Sequence, residues 1–319
     1  MKPRLQNKVA GSELTLPFCA FVAVILWWLP ECAFSVRNLL GLVVCLLTTY
    51  VVMETNTRHH IIRIRTRMMS CVWLVFAAIL PFMHPLGEPI IAAGLLCVSY
   101  YLLFRCYQKH RPQLNVFHAF LMLGIGGFFA PIMLLMAIPY YIYLIVFLRS
   151  LTRKAFWAGI IGLTVPYWCY GVWKIIIQKS SLELWTTDGG QWFDVSPLQL
   201  LTIQLSDCDI VKLSTFAFIA LLGIVSIIHY LRTNYDDKIR VRMILYIYMS
   251  QTLLLMAYML LLPSHYETTL ALLVASASPL IAHYFALSKG ILNTIFFVLS
   301  VLLTVCVAVL NLIIPNLLS

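Results

Sequence analysis

The chain has 319 residues, of which 62% are hydrophobic and only 11% charged, with a mean hydropathy of +0.92. A soluble domain is about 45–50% apolar and about 25% charged, so there are too few polar side chains here to cover a globular surface, and lipid must cover it instead. The net charge of +10 does not mark a nucleic-acid binder, because the Lys and Arg residues sit in short clusters between apolar runs, where membrane topology accounts for them.

One bilayer crossing takes about 20 apolar residues, with a range of about 17–25. Cutting the chain at its charge clusters and Pro/Gly turns predicts eleven spans, at 14–30, 38–53, 69–84, 89–105, 114–130, 132–148, 156–178, 210–231, 243–262, 267–287 and 291–313. The first follows a basic start (Lys2, Arg4, Lys8), as a secretory signal would. It ends in Trp27, Trp28, Leu29 and Pro30 with no small-residue cleavage site, so it reads as a retained span. The runs are long and continuous rather than alternating, which selects helices over barrel strands. The expected fold is all-α: a polytopic transmembrane helical bundle, one integral membrane domain over 1–319.

With an odd number of crossings, alternate loops face opposite sides. The segments assigned inside carry Lys2, Arg4, Lys8; Arg58, Arg63, Arg65, Arg67; Arg105, Lys109, Arg111; Arg149, Arg153, Lys154; Arg232, Lys238, Arg240, Arg242; and Lys289. These are 18 of the 22 basic residues, leaving Arg37, Lys174, Lys179 and Lys212 outside. That asymmetry predicts a cytoplasmic N-terminus and a C-terminus on the outer side. Most loops are short, but the outer segment 179–209 is not. It mixes Trp185, Trp192 and Phe193 with acids, and the stretch after Pro197 reads as a short amphipathic helix lying at the membrane interface. The nine cysteines show no paired spacing and imply no disulfide or metal framework.

Ionisable residues inside the hydrocarbon are the usual functional pointer, since a charge there costs at least about 2.5–3.5 kcal/mol. No Asp, Glu or Arg falls at the centre of a span. The intramembrane polar set is His118, His229, His283, Asn293 and Gln251 with scattered Ser and Thr, and the histidines read first as helix-contact residues. The outer face gathers more chemistry at the ends of different helices: Glu31, His84, Glu88, Asp207, Asp209, His265 and Glu267. Glu31, directly after the first span, is the candidate catalytic base towards a hydroxyl. His84, Glu88, Asp207, Asp209, His265 and Glu267 are candidate substrate-binding residues. No spacing identifies a resident metal and the cofactor is open, with a divalent cation on a phosphate, held by Asp207 and Asp209, as the candidate. On the inner face, Arg58 to Arg67 and Arg232 to Arg242 form basic loops that attract anionic membrane lipid and anchor topology. Gly124, Gly126 and Gly127 follow no strand, so they form no phosphate loop; small residues there let two helices approach closely.

From Asn115 to Tyr167 the order is a Gly-rich span (Phe120 to Phe129), a Pro131 break, and an aliphatic and aromatic run to Arg149. A basic turn (Arg149, Arg153, Lys154) follows, then Gly159, Gly162 and Pro166-Tyr167. That order resembles multi-pass membrane proteins of the Bacteroidota and, more distantly, is similar to the middle of GT-C glycosyltransferases. The resemblance implies transfer of a sugar from a polyprenyl-phosphate lipid carrier at the outer face for envelope glycan assembly, with an acid in the first outer loop, where Glu31 stands. The residues themselves leave two alternatives open. One is a non-catalytic membrane scaffold or assembly partner; the other is a small-solute or lipid transporter whose path His118, His229 and His283 would line.

Overall fold

The structure, a computed structural model, describes residues 5–29, 35–178, 210–262 and 265–312. Among them there are helices and turns and no strand. In chain order the helices are α1 (Leu5–Gly11), α2 (Thr15–Trp28), α3 (Val36–His59), α4 (Met68–Ala78), α5 (Glu88–Phe104), α6 (Gln113–Gly126) and α7 (Ile132–Leu135). There follow α8 (Ala137–Val146), α9 (Arg153–Gln178), α10 (Ile210–Thr233), α11 (Ile239–Leu261), α12 (Tyr266–Leu287) and α13 (Ile291–Leu312). Each predicted apolar run falls on a helix. Six of these helices (α3, α9, α10, α11, α12 and α13) are long and apolar enough to cross a membrane, and the rest of the apolar runs form shorter helices.

Two runs depart from the single helices expected of them, for visible reasons. The run 69–84 is helical only to Ala78 and finishes in a 3-10 turn at Pro81–Met83, because Pro81 has no N–H to continue the ladder. The run 132–148 is broken at Met136 into α7 and α8. Helix α4 has only 11 residues, about 16 Å at 1.5 Å per residue. Every residue in it except Val75 is buried, so protein rather than lipid surrounds its ends.

Helix α12 is the axis of the bundle. It packs against α1, α4, α5, α10 and α11, and every residue from Thr268 to Ala286 is buried. Its sequence suits that position: Ala271, Ala275, Ala277, Ala282 and Ala286 leave room for neighbours on all sides. Of its hydroxyls, Thr268 donates to the His265 carbonyl at 3.2 Å and Ser276 to that of Leu272 at 2.7 Å, while the buried Thr269 hydroxyl has no partner among the described residues. Pro279 cannot donate to the carbonyl four residues back, at Ala275, and the Ser278 hydroxyl reaches that oxygen at 3.4 Å instead. Thr48, Thr49, Thr55, Ser226 and Thr252 likewise bond back to carbonyls of their own helices, as side chains must where no water is available.

Around this axis, α6 lies along α9 and α5, and α3 along α5 and α4. The α6–α9 contact is backbone on backbone. A Cβ at Gly124 would sit 2.6 Å from the Leu163 carbonyl oxygen, and one at Gly162 would meet that of Phe117. The glycines expected to let helices approach do so at Gly124, matched on α9 by Gly162 and Pro166, while Gly159 faces Tyr141 of α8. Large apolar side chains face outward from α2, α3, α9 and α13, among them Phe18, Leu47, Trp168 and Leu302.

Candidate functional site

Glu31, Asp207, Asp209 and the interfacial helix expected in 179–209 lie outside the described residues. His84 is buried: its ring stacks on Trp27 with centroids 4.4 Å apart, and its Nε2 lies 2.9 Å from the Ala78 carbonyl oxygen. It ties the Pro81–Met83 turn to α2 and does not face an open cavity. Glu88 and Glu267 are exposed and stand in the first turns of α5 and α12, where a carboxylate complements the helix dipole. His265 is exposed beside Glu267. The Phe82 and Tyr266 rings meet at 6.3 Å, so the turn bearing His84 adjoins the start of α12, but no hydrogen bond joins His84 or Glu88 to His265 or Glu267 among the described residues. Nor does any group of three or more His, Cys, Asp or Glu side chains among them fit a metal ion.

The opposite end of the bundle holds more. Arg63, in the loop after α3, brings its Nε within 3.1 Å of Asp237 Oδ1, an ion-pair contact not aligned as a hydrogen bond. The same guanidinium donates to the Asp236 carbonyl and carboxylate at 3.3 Å each. The other Asp237 oxygen accepts from His283 Nε2 at 3.1 Å. The Asp237 side chain is wholly buried and that of Arg63 is 41% exposed, so the carboxylate is enclosed while its guanidinium partner still reaches water. The Tyr230 ring stands edge-on to His283 at 5.1 Å. This node clamps the turn between α10 and α11 against the end of α12.

Beside it, Arg240 Nη2 lies 2.8 Å from His59 Nδ1. Arginine has no acceptor and stays charged, so Nδ1 must accept. The His59 ring is then neutral, with its proton on Nε2. The His59 ring meets Tyr101 and Phe104 edge-on at 6.4 and 5.8 Å. Arg58 and Arg105 lie over the Tyr101 ring at 5.5 and 5.8 Å, and Arg240 over Tyr107 at 5.7 Å. Three helices, α3, α5 and α11, thus direct guanidinium groups towards one aromatic patch. In the same turn, burial pushes the Cys106 thiol up to about 12 despite nearby Arg105 and Lys109, so it remains protonated at neutral pH.

Of the three histidines offered as a transport path, His283 and His229 are near each other on adjoining helices, His229 standing edge-on to Tyr284 at 4.7 Å. His118 is on α6, its Nδ1 bonded to the Leu114 carbonyl of its own helix at 2.8 Å. The buried polar network deeper in the bundle is built from tyrosines instead. Tyr143 donates to Gln251 at 3.0 Å and accepts from Ser250 at 2.9 Å, and Ser99 donates to Tyr140 at 3.2 Å.

The sequence reading passed over Asp236 and Asp237. A signal was present: they are two of only four acids (with Glu13 and Glu54) on the side otherwise reserved for basic residues. Comparison with protein-family models, with curated proteins and with solved structures found no match to this chain.

Proposed function

We propose that this chain is a bacterial inner-membrane protein that crosses the bilayer eleven times, with its N-terminus cytoplasmic and its C-terminus periplasmic. In this reading it is a non-catalytic assembly partner in the cell envelope. The alternation of the loops between two ends is supported by which segments touch. Gln6 donates to the Ser288 carbonyl at 2.5 Å, Thr66 to the Ala10 carbonyl at 2.5 Å, and Gln108 N–H to the Leu148 carbonyl at 3.0 Å. With the Arg63–Asp237 and Arg240–His59 contacts, every segment that charge assigns to the cytoplasm meets another so assigned. Outer segments pair likewise: the Arg37 and Leu86 backbones bond at 2.9 Å, and Tyr266 donates to the Lys212 carbonyl at 2.8 Å. A periplasm-active phosphatase fused after Leu262 or Ser319 is expected to be active, and one fused after Gly290 inactive; a cytoplasmic reading after Ser319 would break the eleven-span count.

The observation that carries the assembly reading is α12, enclosed along its length by five helices. A rigid axis with outward apolar faces suits holding other membrane components in place. The second reading, a GT-C-like glycosyltransferase acting on a polyprenyl-phosphate-linked sugar, is favoured by the adjacency of the His84–Glu88 turn to the start of α12. A triple variant, Glu31→Gln, Asp207→Asn and Asp209→Asn, separates the two. Expressed in a strain lacking the chromosomal copy, it is expected to restore the wild-type envelope glycan pattern. A stably inserted triple variant that fails to restore it overturns the assembly reading in favour of catalysis.

A further inference from the structure

The geometry points to a binding site for the phosphoryl headgroup of an anionic membrane lipid at the inner end of the bundle, formed by Arg58, Arg105 and Arg240 around Tyr101. Three observations carry it. First, the site is rich in donors and poor in acceptors. Arg58 has Glu54 at 3.2 Å, but neither Arg105 nor Arg240 meets a carboxylate among the described residues, and the neutral His59 ring beside them carries a buried Nε2 with no hydrogen-bond partner. Like charges brought together without counter-ions repel, so the arrangement is completed by an anion.

Second, the arginines are stacked on aromatic rings, although Arg58 and Arg240 remain exposed. Residues that only set topology need lie merely on the correct side, and free guanidinium groups of like charge would splay apart. Here Arg58 and Arg105 lie over one tyrosine ring, while Arg240 is held by Tyr107 and by the His59 acceptor. Stacking leaves the N–H edges of a guanidinium free to make the paired bonds that a phosphate accepts. Third, the position suits a lipid. The cluster lies at the ends of α3 and α5 and the start of α11, and the half of α3 nearer to it exposes Leu47 and Tyr50, a surface along which acyl chains can lie. Tyrosine at such a depth has its ring in the apolar region and its hydroxyl among headgroups. The proposal rests on this end being the cytoplasmic one, which the reporter fusions test separately.

The test uses the full chain, purified in detergent and stripped of lipid. The midpoint of thermal unfolding is followed against dioctanoyl phosphatidylglycerol, dioctanoyl phosphatidylcholine and inorganic phosphate. Phosphatidylglycerol is expected to raise the midpoint saturably and phosphatidylcholine not to. In the pair Arg105→Gln and Arg240→Gln the half-saturating concentration is expected to rise at least tenfold. The pair Arg153→Gln and Lys154→Gln, basic and exposed at the same end but outside the cluster, is expected to behave as wild type. Should the glutamine pair not fold, Arg105→Lys with Arg240→Lys keeps the charge and loses the planar fork, and a several-fold weakening is expected. An equal response in both glutamine pairs would reduce the effect to diffuse surface charge and overturn the site. Inorganic phosphate matching the lipid in potency would overturn the lipid as the ligand.

Discussion

Replacing Asp237 with Ala is expected to destabilise the folded protein by about 2–4 kcal/mol, measured as the shift in reversible unfolding in mixed micelles titrated with a denaturing detergent. Removing one member of a buried ion pair costs about 3–5 kcal/mol because the other is left uncompensated. Here the carboxylate is fully enclosed while Arg63 is 41% exposed. The guanidinium can therefore turn to water and keep Asp236, which lowers the expectation to the bottom of that range. What cannot turn away is His283: it is buried, its Nδ1 has no hydrogen-bond partner, and its Nε2 would lose its acceptor. An orphaned buried donor costs about 1–3 kcal/mol by itself. Asp237→Asn keeps an oxygen for His283 and is expected to cost less, whereas Arg63→Ala leaves the enclosed carboxylate with His283 alone and is expected to cost at least as much as Asp237→Ala. In a double-mutant cycle the Arg63 and Asp237 substitutions should couple by about 0.5–2 kcal/mol. An Asp237→Ala protein within about 0.5 kcal/mol of wild type, the range of ordinary surface changes, would show that the node does not hold the α10–α11 turn to α12.

The second large effect is expected at the α6–α9 contact. Gly162→Ala places a methyl group on the Phe117 carbonyl oxygen, and Gly124→Ala places one 2.6 Å from that of Leu163 and 3.2 Å from the Pro166 ring. The obstacle in both cases is backbone, which cannot rotate aside as a side chain could, so the helices must separate along a contact that runs the length of α6. Overpacking of this kind costs about 1–3 kcal/mol for a methyl group. The double variant Gly124→Ala with Gly162→Ala is expected to exceed either single change, and Gly162→Leu to prevent recovery of folded protein. The same unfolding titration checks this, with Gly11→Ala as control. No atom lies within 4 Å of a Cβ at Gly11, and gaining Ala in a helix is neutral or slightly favourable. Should Gly162→Ala prove as harmless as Gly11→Ala, the close approach is not part of the working structure.

The same contact accounts for the small residues between Asn115 and Tyr167. Gly124 and Gly162 let the two helices pack backbone on backbone, and Tyr167, whose hydroxyl lies against Gly127, closes one end of the pair. The stretch is legible because small residues at helical spacing have one common use in a bilayer. The rim residues are less so. His84 reads in sequence as an outer-face ligand, and its ring stacks on Trp27 with Nε2 at the Ala78 carbonyl, a contact between helices whose approach no local pattern encodes.

What the sequence by itself determined is the set of apolar runs, their helical character and the two ends to which the charges belong. These follow from local quantities: the cost of placing a charge in hydrocarbon and the need of each backbone N–H and C=O for a partner within its own segment. What only the tertiary structure decided is which runs lie at the centre and which charges meet. Helix α12 is no more apolar than α13, with mean hydropathies of 1.8 and 2.7, yet the first is 94% buried and the second 28%. Arg63, Asp237 and His283 are separated by 174 and 46 positions and belong to a loop, a turn and a helix. Their meeting depends on how three helices pack, and the hydropathy of each is unchanged by that packing.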